Sequence, residues 1–119
     1  MLRAFVTAVA IGVVTELAAR RGRLWVYRRP LYPVLNVLVV FGAVMGAIAT
    51  LGARLGVVAV FGIGVAIGLA WELANVAVLD WWFFPGDRLG VVRGRTACAL
   101  AIAITWGLVP VMVFALTRP

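Results

Sequence analysis

The chain has 119 residues, 66% hydrophobic and 13% charged, with a mean hydropathy of +1.15, whereas ordinary soluble domains carry about 25% charged residues. It contains no His, Lys, Ser or Gln and a single cysteine, Cys98, so single-chain zinc, haem and iron–sulfur sites, Ser-His-Asp hydrolysis and lysine Schiff-base chemistry are excluded. No metal or other cofactor is expected, and the net charge of +7 calls for no nucleic acid, because anionic lipid head groups account for such an arginine excess.

Four apolar runs follow in chain order, 4–19, 34–53, 55–79 and 97–116, each near the roughly 20 residues that a helix needs to cross a hydrocarbon core of about 30 Å. The reading is an all-α polytopic membrane protein of one domain, its helices arranged as two tandem parallel hairpins, repeat 1 at about 1–54 and repeat 2 at about 55–119. Between the first two runs, Arg20 to Pro33 holds five arginines, a glycine and two prolines that stop a helix. Gly52, Arg54 and Gly56 allow only a tight turn between the second and third. Asp80-Trp81-Trp82-Phe83-Phe84-Pro85-Gly86-Asp87-Arg88, continued by Arg93-Gly94-Arg95, joins the third to the fourth.

Both longer loops emerge on one side, with eight arginines against three at the other. Since Arg concentrates in cytoplasmic loops, these loops are expected in the cytoplasm and both termini outside, in a multi-pass protein of the inner cell membrane. A cleaved signal peptide is the competing reading of the first run, but Glu16 and the arginines that follow it argue against export. Trp25, Tyr27, Tyr32, Trp81 and Trp82 fall at the loop ends of the runs, where aromatic belts sit.

A shift of 56 positions aligns Phe5 with Phe61, Val9-Ala10-Ile11-Gly12 with Val65-Ala66-Ile67-Gly68, Glu16-Leu17-Ala18 with Glu72-Leu73-Ala74, and Trp25 with Trp81, nine identities in 21 positions. Chance in so biased a composition gives about two. A shift of 55 adds Pro30 with Pro85, Thr50 with Thr105 and Gly52 with Gly107. A repeat of two spans re-enters the membrane in the same direction, so the copies are parallel. Ala8, Gly12 and Glu16, and likewise Gly64, Gly68 and Glu72, sit four residues apart. Small residues so spaced let membrane helices approach closely, and the first and third helices are expected to cross there. Gly42, Gly46 and Thr50, and Ala97, Ala101 and Thr105, form comparable ridges on the even-numbered helices.

A carboxylate in hydrocarbon costs about 2.5–3.5 kcal/mol on insertion scales, so each glutamate needs a partner. Glu16 precedes Arg20 by four residues, a spacing that closes a salt bridge. Glu72 has no cation on its own helix; Asn75 shares its face, and the expected partner is Arg20, Arg21, Asn36 or a bound species. Glu16, Glu72, Asn36 and Asn75 therefore form the candidate functional centre, with Glu72 also a candidate for proton exchange. In the second loop, Asp80 and Asp87 are separated by six residues, too far apart for a close diphosphate-binding cluster. Ion pairs to Arg88, Arg93 or Arg95 are expected instead. Cys98 reads as a packing residue.

Glu16-Leu17 followed by Tyr27-Arg28-Arg29-Pro30, and Trp71-Glu72-Leu73 followed by Trp81-Trp82-Phe83-Phe84-Pro85 and Leu89-Gly90, resemble the membrane domains of lycopene cyclases over about a quarter of the chain. The family's Pro-x-Glu-Glu element has no counterpart, the corresponding stretch reading Val92-Arg93-Gly94-Arg95. The resemblance implies that Glu72 acts as an acid toward an isoprenoid.

Three functions remain open. One is a small tetraspan scaffold or accessory subunit, associating with itself or a larger membrane partner through its small-residue ridges. A second is a proton- or cation-coupled transporter using Glu16 and Glu72, by analogy with small multidrug resistance transporters. The third is an interfacial enzyme acting on a lipid or isoprenoid.

Overall fold

In the computed structural model, which describes residues 1–118, the chain is mostly helical. Four helices are long and apolar enough to cross a membrane: α1 (Leu2–Gly22), α2 (Tyr32–Leu55), α3 (Val57–Leu79) and α4 (Arg95–Thr117). α1 runs on through Arg20, Arg21 and Gly22, Pro33 sits in the first turn of α2, and α2 continues through Gly52 and Arg54 to Leu55, so helix limits differ from the apolar runs by up to three residues. Arg23 and Asp80, both in the left-handed conformation, close α1 and α3. Gly56, with φ +81°, makes the turn from α2 into α3, a conformation that a side chain would strain.

Two π-turn segments begin at asparagines. α2 widens from Asn36 to Met45, and α3 from Asn75 to Leu79, where Asp80 N–H bonds back to the carbonyl of Asn75 at 2.9 Å. Such wide turns are rare and often occur at functional positions. Apolar periodicity carries no sign of them.

The loops are short strands. β1 (Val26–Tyr27) pairs antiparallel with β2 (Trp82–Phe83), Val26 opposite Phe83 and Tyr27 opposite Trp82. β3 (Arg88–Leu89) and β4 (Val92–Arg93) form a hairpin whose two-residue turn starts at Gly90, φ +59°. The first pairing brings the two loops together above the helix ends.

α3 and α4 share the most extensive interface, α1 lies mainly on α2, α4 touches all three other helices, and α1 and α3 scarcely meet. The expected crossing of α1 and α3 is therefore not formed. Gly12 lies beneath the Phe41 ring of α2, where an added Cβ would come within 2.7 Å of Phe41 Cγ. Gly64 faces Gly107 and Pro110, and Gly68 faces the Trp106 side chain, all on α4. Each small face is a seat for an aromatic ring or a close backbone on the next helix in sequence. On α2, Gly42 meets Phe5 and Val9, and Gly46 meets the backbone of Ala4 and Phe5.

The other two ridges divide. Gly42 and Gly46 are buried, but Thr50, Ala97 and Thr105 are exposed; the inward face of α4 runs instead through Ala99, Ala103, Trp106, Gly107 and Pro110. Thr50 lies five residues from the end of α2 and Thr105 twelve from the end of α4, so these two do not occupy equivalent depths. The core beneath the loops is built from Ala4, Ala8, Phe41, Met45, Val60, Trp106 and Val113.

Candidate functional site

Polar side chains converge at the loop end of the bundle. Glu16, near the end of α1, accepts three hydrogen bonds: Tyr27 Oη donates at 2.5 Å and Asn36 Nδ2 at 2.9 Å, both to Oε1, and Trp25 Nε1 donates at 3.2 Å to Oε2. No Glu16–Arg20 salt bridge exists among the described residues. The chain's turn after Arg23 folds Trp25 and Tyr27 back over the carboxylate, leaving Arg20 exposed. Asn36 also donates to Tyr27 Oη at 3.0 Å, and its Oδ1 accepts from Trp71 Nε1 at 3.3 Å. One asparagine thereby ties α2 to α1, to the first loop and to α3. Burial first, and the adjacent Glu16 carboxylate second, push the Tyr27 phenol far above its ordinary range.

Glu72 is 2% exposed. Its Oε1 accepts from Trp106 Nε1 at 2.9 Å, while Oε2 has no hydrogen-bond partner among the described residues. None of the expected partners, Arg20, Arg21 or Asn36, reaches it. The donor is Trp106, whose sequence position carries a signal of its own: an indole N–H eleven residues into α4, away from either aromatic belt, needs a buried acceptor.

Asn75 does something else. Its Oδ1 accepts from the backbone N–H of Trp81 at 2.7 Å and of Trp82 at 3.3 Å, and its Nδ2 donates to the Trp82 carbonyl at 3.0 Å. It pins the second loop over the end of α3. Trp71 packs edge-on to Trp81 and tilted against Trp82, Tyr27 lies against Trp82, and Tyr32 stacks on Trp81 at 4.4 Å. These aromatics close the loop end of the bundle.

Beneath them lies a cavity of about 180 Å³. Glu72, Asn36, Tyr27 and Trp25 meet its loop end; Ile11, Thr15, Phe41, Ile102, Trp106 and Val109 form most of the remaining wall. Thr105, Leu108 and Met112 also line it and are exposed, so it opens outward along the seam between α1 and α4. An apolar cavity of about 150 Å³ suffices for benzene. This one has the same capacity with a carboxyl in its wall.

Outside the bundle, Asp80 pairs with Arg28 at 3.3 Å and with Arg95 at 3.4 Å, all about half exposed. Arg28 also lies over the Phe83 ring at 4.3 Å. The pairing with Arg95 was anticipated and that with Arg28 was not. Asp87 forms no ion pair among the described residues; its backbone carbonyl accepts from Gly94 N–H at 2.8 Å, and Arg88 faces Arg93 across the hairpin. Cys98 is buried, its thiol 3.6 Å from the Asp87 carbonyl oxygen. No group of three His, Cys, Asp or Glu side chains suited to a metal occurs among the described residues. Comparison with protein-family models, curated proteins and solved structures found no match.

Proposed function

We propose that this chain is an integral membrane protein whose helix bundle holds a small apolar molecule, or one end of a larger lipid entering through the opening, with Glu72 meeting the ligand's polar or reactive part. One observation carries the reading: a buried carboxyl with one oxygen unbonded lines a mostly apolar cavity. An orphaned polar atom of this kind costs about 1–3 kcal/mol, more when charged, and a ligand donor would recover it.

Four apolar helices and a longest dimension of 43 Å support membrane insertion, since a bilayer with its head-group regions is about 40–45 Å thick. Eight loop-side arginines support a cytoplasmic position for the loops, with both termini outside and the inner cell membrane as location. The tandem arrangement of two hairpins draws support from the β1–β2 register, in which a 56-residue shift exchanges Val26 with Trp82 and Tyr27 with Phe83, so each pair maps onto the other. An antiparallel pair of this form is what a two-fold axis between two copies produces.

The ridges on which a scaffold would associate are occupied within the chain by Phe41, Trp106 and Gly107, which counts against that reading. A transporter using both glutamates is disfavoured by the three donors already on Glu16. An enzyme acting on an isoprenoid, the class that the lycopene-cyclase resemblance implies, remains compatible, because Glu72 Oε2 is a free position for exchanging a proton with a substrate.

The test is to purify the protein in lipid nanodiscs, extract it with organic solvent and identify what co-purifies by mass spectrometry. An apolar molecule is expected in stoichiometric amount, displaced when Ile102→Trp fills the cavity and weakened at least tenfold by Glu72→Leu. If nothing beyond bulk lipid is recovered and Ile102→Trp only stabilises the fold, the cavity is not a ligand site and the reading fails.

A further inference from the structure

The outer face of α1 and α2 carries a second concavity, separate from the cavity beside Glu72. Val9, Val13 and Leu17 of α1 and Val34, Val37 and Leu38 of α2 border an apolar groove of about 330 Å³. At its loop end the groove meets a pocket of about 540 Å³ whose lining includes Arg20, Arg23, Arg28 and Arg29. Glu16, Leu17 and Pro33 border both, so groove and pocket adjoin.

The two halves have opposite chemistry. Of the four guanidinium groups, only that of Arg28 reaches a carboxylate, Asp80; Arg20, Arg23 and Arg29 form no ion pair among the described residues. The carboxylate within the pocket, Glu16, is already engaged by Trp25, Tyr27 and Asn36. That leaves several guanidinium donors around one concavity, the arrangement suited to phosphate oxygens. Below it, the wall from Val9 to Leu17 runs about 12 Å along α1 at 1.5 Å per residue, most of the roughly 15 Å that one leaflet's hydrocarbon occupies.

We propose that groove and pocket form one binding site for a phospholipid with an anionic head group, its phosphate held by Arg20, Arg23 and Arg29 and one acyl chain lying between α1 and α2. The proposal rests on the membrane-spanning reading and is independent of any ligand in the central cavity. Charge selects the head group and the groove selects a lipid over a soluble phosphate.

Native mass spectrometry of protein released from nanodiscs of phosphatidylcholine and phosphatidylglycerol provides the test. One phosphatidylglycerol per chain is expected to survive release, in preference to phosphatidylcholine. Arg20→Gln with Arg29→Gln lowers that retention about twenty-five-fold, near fivefold for each basic residue at an anionic surface. Leu17→Trp, or Val13→Phe if that variant does not fold, fills the groove without altering charge and lowers retention at least fivefold. Arg54→Gln, at the opposite end of the bundle, leaves it unchanged. Millimolar glycerol phosphate does not displace the lipid. Retention that survives the double arginine substitution, falls equally with Arg54→Gln, or yields to glycerol phosphate overturns the site. A chain absent from the nanodiscs altogether would instead refute membrane insertion.

Discussion

The indole N–H of Trp106 donates to Oε1 of Glu72 across 2.9 Å, in the interior of the bundle and between the two helices with the largest mutual interface. Each residue removes a problem for the other, since a buried indole needs an acceptor and a buried carboxyl needs a donor. Trp106→Phe leaves an aromatic ring over Gly68 but deletes the donor together with part of the indole's volume, so the double substitution with Glu72→Leu is needed to isolate the bond. The single variant is expected to destabilise the protein by about 1–3 kcal/mol, the cost of an orphaned buried polar group. Adding Glu72→Leu should restore most of that loss, because both partners are then apolar, and reversible unfolding in detergent measures the non-additivity. Strictly additive effects of the two substitutions would mean that the bond carries no coupling.

The glycines of α3 differ in what a methyl group would meet. At Gly68 a Cβ collides with the Trp106 side chain, whereas at Gly62 nothing lies within 4 Å. Gly68→Ala therefore displaces the ring that holds Glu72, with an overpacking cost of about 1–3 kcal/mol. Gly62→Ala is neutral or stabilising by up to about 1 kcal/mol, as expected for alanine in an unobstructed helix. Thermal unfolding of the two variants side by side checks the contrast. An equal response would place Trp106 elsewhere.

Helix number, and helix limits to within three residues, were legible because each follows from composition over a long window. Long apolar runs, prolines and glycines leave few alternatives for α1 through α4. Partner choice was less legible. Glu16 and Arg20 have a spacing that favours a salt bridge, yet the bond goes to Tyr27, Asn36 and Trp25, because the left-handed turn at Arg23 brings the first loop back over the helix end. The repeated glycines announced close approach without saying to what: α1 and α3 carry the same pattern, and each spends it on the helix that follows it. The wide turns over Asn36–Met45 and Asn75–Leu79 leave no mark in the apolar period.

Asn75 and Asp80 lie five residues apart in sequence, but their substitutions should differ in cost. Asn75 is buried and satisfies the backbone of both Trp81 and Trp82. Asn75→Ala leaves those groups unpaired, at about 1–3 kcal/mol for each one that stays dry, and should loosen the loop enough to raise hydrogen exchange at Trp81 and Trp82. Asp80 joins two arginines at an exposed position. Asp80→Asn should cost less than about 1 kcal/mol, with that difference shrinking as salt is added. A larger loss from Asp80→Asn than from Asn75→Ala would reverse this assignment of what holds the loop.

Tyr27 offers a test through pH. The chain has two tyrosines, so Tyr32→Phe leaves the Tyr27 phenol alone to report. Burial and the neighbouring Glu16 carboxylate raise its pKa in the folded protein, while an unfolded chain ionises a tyrosine near pH 10. Tyrosinate absorbance is therefore expected to be absent at pH 11 while the helical circular dichroism persists, and to appear near pH 10 once the chain is unfolded. The linkage has a definite sign. Above about pH 10 the unfolded state has released a proton that the folded state retains, so stability falls as pH rises, by up to about 1.4 kcal/mol per pH unit. Below that pH the contribution is fully present. Tyr27→Phe should remove the tyrosine's part of this alkaline loss, at the expense of the hydrogen bond to Glu16. Tyrosinate forming at pH 10 in the folded Tyr32→Phe protein would show that Tyr27 is neither enclosed nor held against Glu16, and the polar cluster at the loop end of the cavity would have to be redrawn.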